Sequence, residues 1–84
     1  MLTLTDEQMK TMRAQIGRQL TAARALAGMR QGDAAAAVGI TADSLSNYER
    51  GRYDIKLLTY MRLCELYGVD GGAILARIEP PELD

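Results

Sequence analysis

The chain has 84 residues, with one cysteine and no histidine, tryptophan or phenylalanine, room for one small domain but not for a catalytic domain beside a binding domain. The lack of histidine removes the commonest general base and metal ligand, Cys64 has no partner at disulfide or zinc spacing, and no apolar run approaches the ~18 residues of a membrane helix. The net charge of −1 departs from the basic excess usual in nucleic-acid binders, but residues 1–53 carry seven Lys/Arg against five Asp/Glu, and residues 54–84 carry three against six.

Ala, Leu, Met and Ile supply most of the 48% apolar residues, a composition that favours helices, and no segment alternates long enough to make a strand. The first helix is expected after Thr5. Thr5 and Gln8 stand at capping-box spacing, and Asp6 and Glu7 suit the positive end of the helix dipole. Its apolar stripe Met9, Met12, Ile16, Leu20, Ala23 and Ala27 recurs every three or four residues, and Gly28 stops it. A second helix covers Gln31 to Val38 and stops at Gly39. The third starts after Thr41, a good N-cap, and runs through Arg50 to a stop at Gly51. A loop, Arg52 to Asp54, leads to a fourth helix from Ile55 to Tyr67, with Asp54 as its cap and Gly68 at its end. Asp70 caps a fifth helix through Ile78, and Pro80 and Pro81 leave a short acidic tail, 79–84. The first residues lack the basic and apolar regions of a signal peptide, so the expectation is one all-α domain, 1–84, in the cytoplasm, without a cofactor or a membrane partner.

Two short helices joined by a tight glycine turn, the second polar on one side, describe a helix-turn-helix, here residues 31–50. Ala35 is small where the two helices must approach, Gly39 makes the turn with Ile40 beside it, and Val38, Leu45 and Tyr48 point inward. The third helix is left with Ala42, Asp43, Ser46, Asn47 and Arg50 as its outer set, short or hydrogen-bonding side chains fit for base edges and phosphates.

These residues resemble the Xre/Cro family, the phage-repressor type of helix-turn-helix domain, over Ile16 to Leu75. The likeness rests on the ordered string Ile16-Gly17, Leu20, Ala23-Arg24, Gln31, Ala35, Val38-Gly39-Ile40, Ser44-Leu45-Ser46, Tyr48-Glu49-Arg50-Gly51 and Leu66-Tyr67-Gly68-Val69. It implies a five-helix lambda-repressor-like fold, here with an extended first helix. By position it implies base contacts from Thr41, Ala42, Asp43 and Asn47. Phosphate contacts fall to Gln31, which also braces the recognition helix, and to Ser44 and Arg50, with Arg52 in the loop beside them; Ser46 of the outer set and Arg30 before the second helix are expected to add to these phosphate contacts. Arg24 and Glu49 match a structural ion pair between helices one and three. The chain departs from the family in having Arg30 where a capping Ser or Thr is usual, Ile55 in place of the loop proline, and Ala34 in place of a leucine, which thins the core under helix two. Asp43 places a carboxylate in the groove, able to accept from a cytosine amino group but repelling phosphates.

Less specific readings stand beside these. Asn47 and Asp43 also fit as solvated helix residues, and Gln31 as a polar helix starter. Cys64, Tyr60, Met61 and Tyr67 read as packing, with a dimer face the other use for one of the aromatics. Met9 and Met12 read equally as extra core and as a partner surface. The leading function is a non-enzymatic transcriptional regulator, a repressor that binds a double-stranded DNA operator as a homodimer. The alternative is a protein-interaction module, an antitoxin or anti-activator, that holds a protein partner on the same scaffold.

Overall fold

The computed structural model describes residues 3–82. Five helices follow in order: α1 (Asp6–Leu26), α2 (Gln31–Val38), α3 (Ala42–Glu49), α4 (Leu57–Tyr67) and α5 (Gly71–Ala76). Both halves of the expected capping box form at α1. The Gln8 backbone N–H donates to Thr5 Oγ1 at 3.1 Å, and the Thr5 N–H donates to Gln8 Oε1 at 2.9 Å. Thr41 and Asp70 cap α3 and α5 through the backbone N–H groups of Ser44 and Ala73. Arg30 offers α2 no side-chain cap, since a guanidinium carries only donors.

Two boundaries differ from expectation. The fourth helix starts two residues late, at Leu57, with Lys56 as an N-cap that makes no side-chain bond. Asp54 then lies too far upstream to reach the free N–H groups of the first turn, and it pairs with Arg13 at 3.3 Å. The fifth helix ends at Ala76 rather than Ile78. Its last N–H groups, on Arg77 and Ile78, donate three residues back to Ile74 and Leu75, which tightens the final turn.

The core gathers Leu20 and Ala23 of α1, Ala34, Ala35 and Val38 of α2, Leu45 of α3, Tyr60, Leu63, Cys64 and Tyr67 of α4, and Ile74 of α5. Ala34, where a leucine is usual, is wholly buried, so α2 packs on its neighbours through small side chains. Tyr48, expected to point inward, is half-buried and stands outside that cluster, lining a surface pocket with Ile16 and Ile55. The Tyr60 hydroxyl donates to the Gly71 carbonyl at 2.7 Å and ties α5 to α4.

The tail does not hang free over its described part. Gln15 reads the Glu79 backbone in both directions, its Nε2 donating to the carbonyl at 2.9 Å and its Oε1 accepting from the N–H at 3.2 Å. Gln8 Nε2 donates to the Pro81 carbonyl at 3.0 Å. Residues 79–81 therefore lie along the first turns of α1, the turns that carry Met9 and Met12. Both methionines are half-buried and stand outside the central cluster. Leu83 and Asp84, the end of the expected acidic tail, lie outside the described residues.

α1 meets α3 at a glycine. A Cβ built on Gly17 would stand 2.2 Å from the Glu49 carbonyl oxygen and 2.7 Å from that of Tyr48, so only a hydrogen there lets the helices touch backbone to backbone. At Ala14, one turn earlier on α1, a Cβ built on Gly51, at φ +71°, would stand 2.7 Å from the helix backbone; its left-handed conformation and the space both demand glycine. Gly17→Ala is expected to destabilise the protein by at least the ~1–3 kcal/mol of an overpacked core. Gly32→Ala, on α2 with nothing near its Cβ position, should stabilise it by ~0.5–1 kcal/mol. Urea titrations of both variants check the pair of signs, and equal effects would contradict the packing described.

Candidate nucleic-acid interface

Gly39 sits at φ 78°, and the left-handed turn lets the Ile40 N–H donate back to Ala35 at 3.0 Å while the Gly39 N–H donates to Ala36 at 3.2 Å. The carbonyls at the end of α2 are thereby satisfied, and the chain reverses into Thr41 within three residues. Thr41 Oγ1 accepts from the Ser44 N–H at 3.0 Å and donates to Ser44 Oγ at 3.0 Å. These two hydroxyls, expected at a base and at a phosphate, are thus engaged in holding the start of α3.

Along the outer side of α3 the structure brings together Asp43, Ser46 and Asn47 with Arg50 and Arg52, which line an open polar cleft of about 280 Å³. Ala42 and Asp43 are exposed on the first turn, and Ser46 and Asn47 are half-exposed on the second. The chain leaves the helix through a tight C-terminal turn in which the Gly51 N–H donates to Tyr48 and the Arg52 N–H donates to Asn47 at 3.0 Å. Arg52 also returns its side chain to the helix, Nη1 donating to Asn47 Oδ1 at 3.2 Å. Arg30 is exposed at the start of α2 and lies outside this cleft.

Behind the cleft, Glu49 points the other way, into the protein. Arg24 grips its carboxylate as a fork, Nε to Oε2 at 2.7 Å and Nη2 to Oε1 at 3.0 Å, and Gln31 Nε2 donates to Oε1 at 3.0 Å. Arg24 Nη1 also donates to the Met29 carbonyl at 2.9 Å, closing the α1–α2 loop. The Glu49 and Arg24 side chains are 5% and 18% exposed. Burial pushes the Glu49 carboxyl up, but the hydrogen bonds from Arg24 and Gln31, with the charge of Arg24, outweigh it and hold the group below its ordinary value. The same hydrogen bond holds Arg24 above its own. Gln31 accordingly spends an amide proton on bracing α3 and keeps its second for any phosphate.

Two residues that support this face, Gly17 and Arg13, and one that holds the tail, Gln15, are not marked as such by the sequence. Gly17 was part of the family string without a role, although glycine inside a helix costs ~1 kcal/mol against alanine and so marks a close approach. Arg13 bonds the Gly51 carbonyl at 3.4 Å as well as Asp54, steadying the loop after α3. Gln15 holds the tail. Nothing in the local sequence marks Arg13 or Gln15, since both partners lie far along the chain.

Glu49→Ala leaves Arg24 and Gln31 facing a hole, and breaking a buried pair from one side costs ~3–5 kcal/mol. That is most of the stability of a small domain, so the variant is expected to be largely unfolded at 37 °C; a melting temperature within a few degrees of wild type would contradict it. The acid side of the pH profile carries the same signature. Because the folded carboxyl titrates below its ordinary value of 4.5, its stabilisation is complete above that value and is lost as pH falls through the folded one. Melting curves of Glu49→Gln should show a smaller acid-induced fall than wild type.

The geometry agrees with what the chain is similar to. The sequence profile described as a helix-turn-helix domain matches residues 15–76. The crystal structure of the restriction-modification controller protein C.AhdI from Aeromonas hydrophila superposes with a TM-score of 0.72 at 18% identity, over 83% of this chain and 99% of that one. That of a hypothetical transcription factor, NHTF, from Neisseria superposes with a TM-score of 0.70 at 26% identity, over 96% of this chain and 87% of that one. No curated protein gives a significant match. The chain belongs to the helix-turn-helix domain family, in the Xre/Cro form that its ordered string of residues resembles.

Proposed function

We propose that the protein is a transcriptional regulator that binds double-stranded DNA by sequence and represses by occupying its operator as a homodimer. The observation that supports this reading best is the polar cleft on α3. Its side chains are hydrogen-bonding and cationic rather than apolar, and Arg50 and Arg52 have no carboxylate within ion-pair distance among the described residues. The likeness to a restriction-modification controller protein and to a hypothetical transcription factor supports the same reading.

With α3 in the major groove, Asn47 and Asp43 are the base readers, Ala42 and Thr41 lie at the edge, and Ser46, Arg50 and Arg52 with Ser44, Gln31 and Arg30 face the backbone. Such a role needs no catalytic group and belongs in the cytoplasm, where the DNA is. The dimer contact is a second copy against the groove between α4 and α5. Leu57, Met61 and Leu75 line it and are 64%, 54% and 41% exposed. Two facts favour a second copy as its occupant: one reading helix spans too few base pairs to select a site, and α5 packs on α4 and α1, leaving α3 free. A different protein partner on the same groove is the second reading, favoured by the exposed leucines and by Asp43.

Selection from random duplex DNA tests the proposal. Wild type should enrich paired half-sites about one turn, ~10 bp, apart. Met61→Glu should lose the pairing while keeping its melting temperature. Asn47→Ala should flatten preference at one position of each half-site, whereas Arg50→Ala should weaken all duplexes alike and make the log–log salt slope shallower by ~0.9. No enrichment by wild type even at low salt would leave the protein-partner reading in its place.

A further inference from the structure

The contact between Arg52 and Asn47 bears on which base the protein selects, and it rests on the DNA-reading function proposed above. Asparagine at a recognition helix ordinarily selects adenine, because its amide matches the adenine edge with one acceptor and one donor: Oδ1 takes the N6 amino proton and Nδ2 gives to N7. Here the acceptor half of that pair is already engaged. Arg52 Nη1 donates to Asn47 Oδ1 at 3.2 Å, and because a guanidinium has no acceptor, the amide atom that meets it is the oxygen. The Arg52 backbone N–H donates to the Asn47 carbonyl at 3.0 Å, the same bond that closes α1, α2 and α4, so the turn that Gly51 permits keeps the two side chains within reach of each other.

We propose that Arg52 sets the base preference of Asn47, making it a donor-only reader that selects guanine over adenine. With Oδ1 held, Nδ2 on the far side of the same planar amide keeps two protons to give. Guanine offers two acceptors in the major groove, N7 and O6, whereas adenine offers N7 beside an amino donor. A second lone pair remains on Oδ1, but the guanidinium charge next to it opposes the approach of a further N–H group and favours the electron-rich guanine edge. The remaining protons of Arg52 stay available to O6 or to a phosphate. Asp43 stands one helical turn before Asn47 on the same face. Its carboxylate accepts only, so it suits the amino group of a cytosine next to the guanine.

Arg52 is thus a positioning residue, and its removal should change the identity of the preferred base, not only the strength of binding. The experiment uses the position at which Asn47→Ala flattens preference, with all four base pairs placed there in the selected duplex. Wild type should favour guanine over adenine by roughly 5- to 150-fold, the discrimination of one good bidentate contact, and should lose most of that factor when 7-deazaguanine removes the N7 acceptor. Arg52→Ala frees Oδ1, and the preference should move to adenine; Arg52→Lys, which keeps a donor of similar reach, should retain guanine. Melting curves of both variants should match wild type, since Arg52 is exposed. Adenine preferred by wild type, or equal weakening of all four duplexes by Arg52→Ala, would overturn the inference while leaving DNA reading intact. A wild type that discriminates no base anywhere would overturn both.

Discussion

The carboxylate of Glu49 is the point on which this fold turns. It is the last residue of α3, yet it faces inward, where Arg24 of α1 and Gln31 at the start of α2 both donate to it. An eight-residue helix does not persist alone in water, so the orientation of α3 depends on what grips its ends. Thr41 holds the first turn and the Glu49 hub holds the last. Gly17 completes the hub, because its missing side chain lets the Glu49 backbone rest on α1 while the Glu49 side chain reaches Arg24 two turns along. A buried ion pair of this kind contributes little net stability compared with a packed apolar group. What it contributes here is geometry: the side of α3 opposite Glu49 is the side that faces outward.

The ion pairs leave the net charge of −1 unchanged and decide only which cations stay free for the outer face. Arg24 is paired inside the molecule with Glu49, and Arg13 at the surface with Asp54. The cations left to the outer face are few, chiefly Arg50 and Arg52 beside Asp43. Such a face attracts phosphate weakly over long distances, so under the proposed function the selectivity rests on base contacts and on subunit pairing. Leu57, Leu58, Met61 and Leu75 are exposed apolar side chains on α4 and α5, while Leu26 on α1 and Tyr53 in the loop after α3 are exposed elsewhere.

The helix order was legible because most starts and stops are written locally. Thr5 with Gln8, Thr41, Asp70, and the glycines at 28, 39, 51 and 68 act on groups within four residues of themselves, and sequence displays such neighbours directly. The fourth helix was misjudged for the complementary reason. Asp54 is a good cap in isolation, but Arg13, forty-one positions away, holds it, and the helix starts without a side-chain cap at all. The docking of the tail on Gln8 and Gln15 was hidden likewise, since no local pattern distinguishes an amide that meets solvent from one that meets a backbone sixty-four residues on. On the reading face, the residue types were visible but their state of engagement was not. Asn47 is marked as a candidate reader by its position on the helix, whereas the occupancy of its oxygen by Arg52 is visible only in the folded chain.

The central claim is that the outward side of α3, fixed by the Glu49 hub, is the surface that meets DNA. Its most direct test is a titration of the 15N-labelled protein with a duplex enriched by selection, followed by two-dimensional NMR. The backbone signals of Asp43, Ser46, Asn47, Arg50 and Arg52, and the side-chain amide signals of Asn47, are expected to shift or broaden first, with Leu63 and Cys64 in the core unmoved. Shifts confined to Leu57, Met61 and Leu75, with α3 silent, would contradict it.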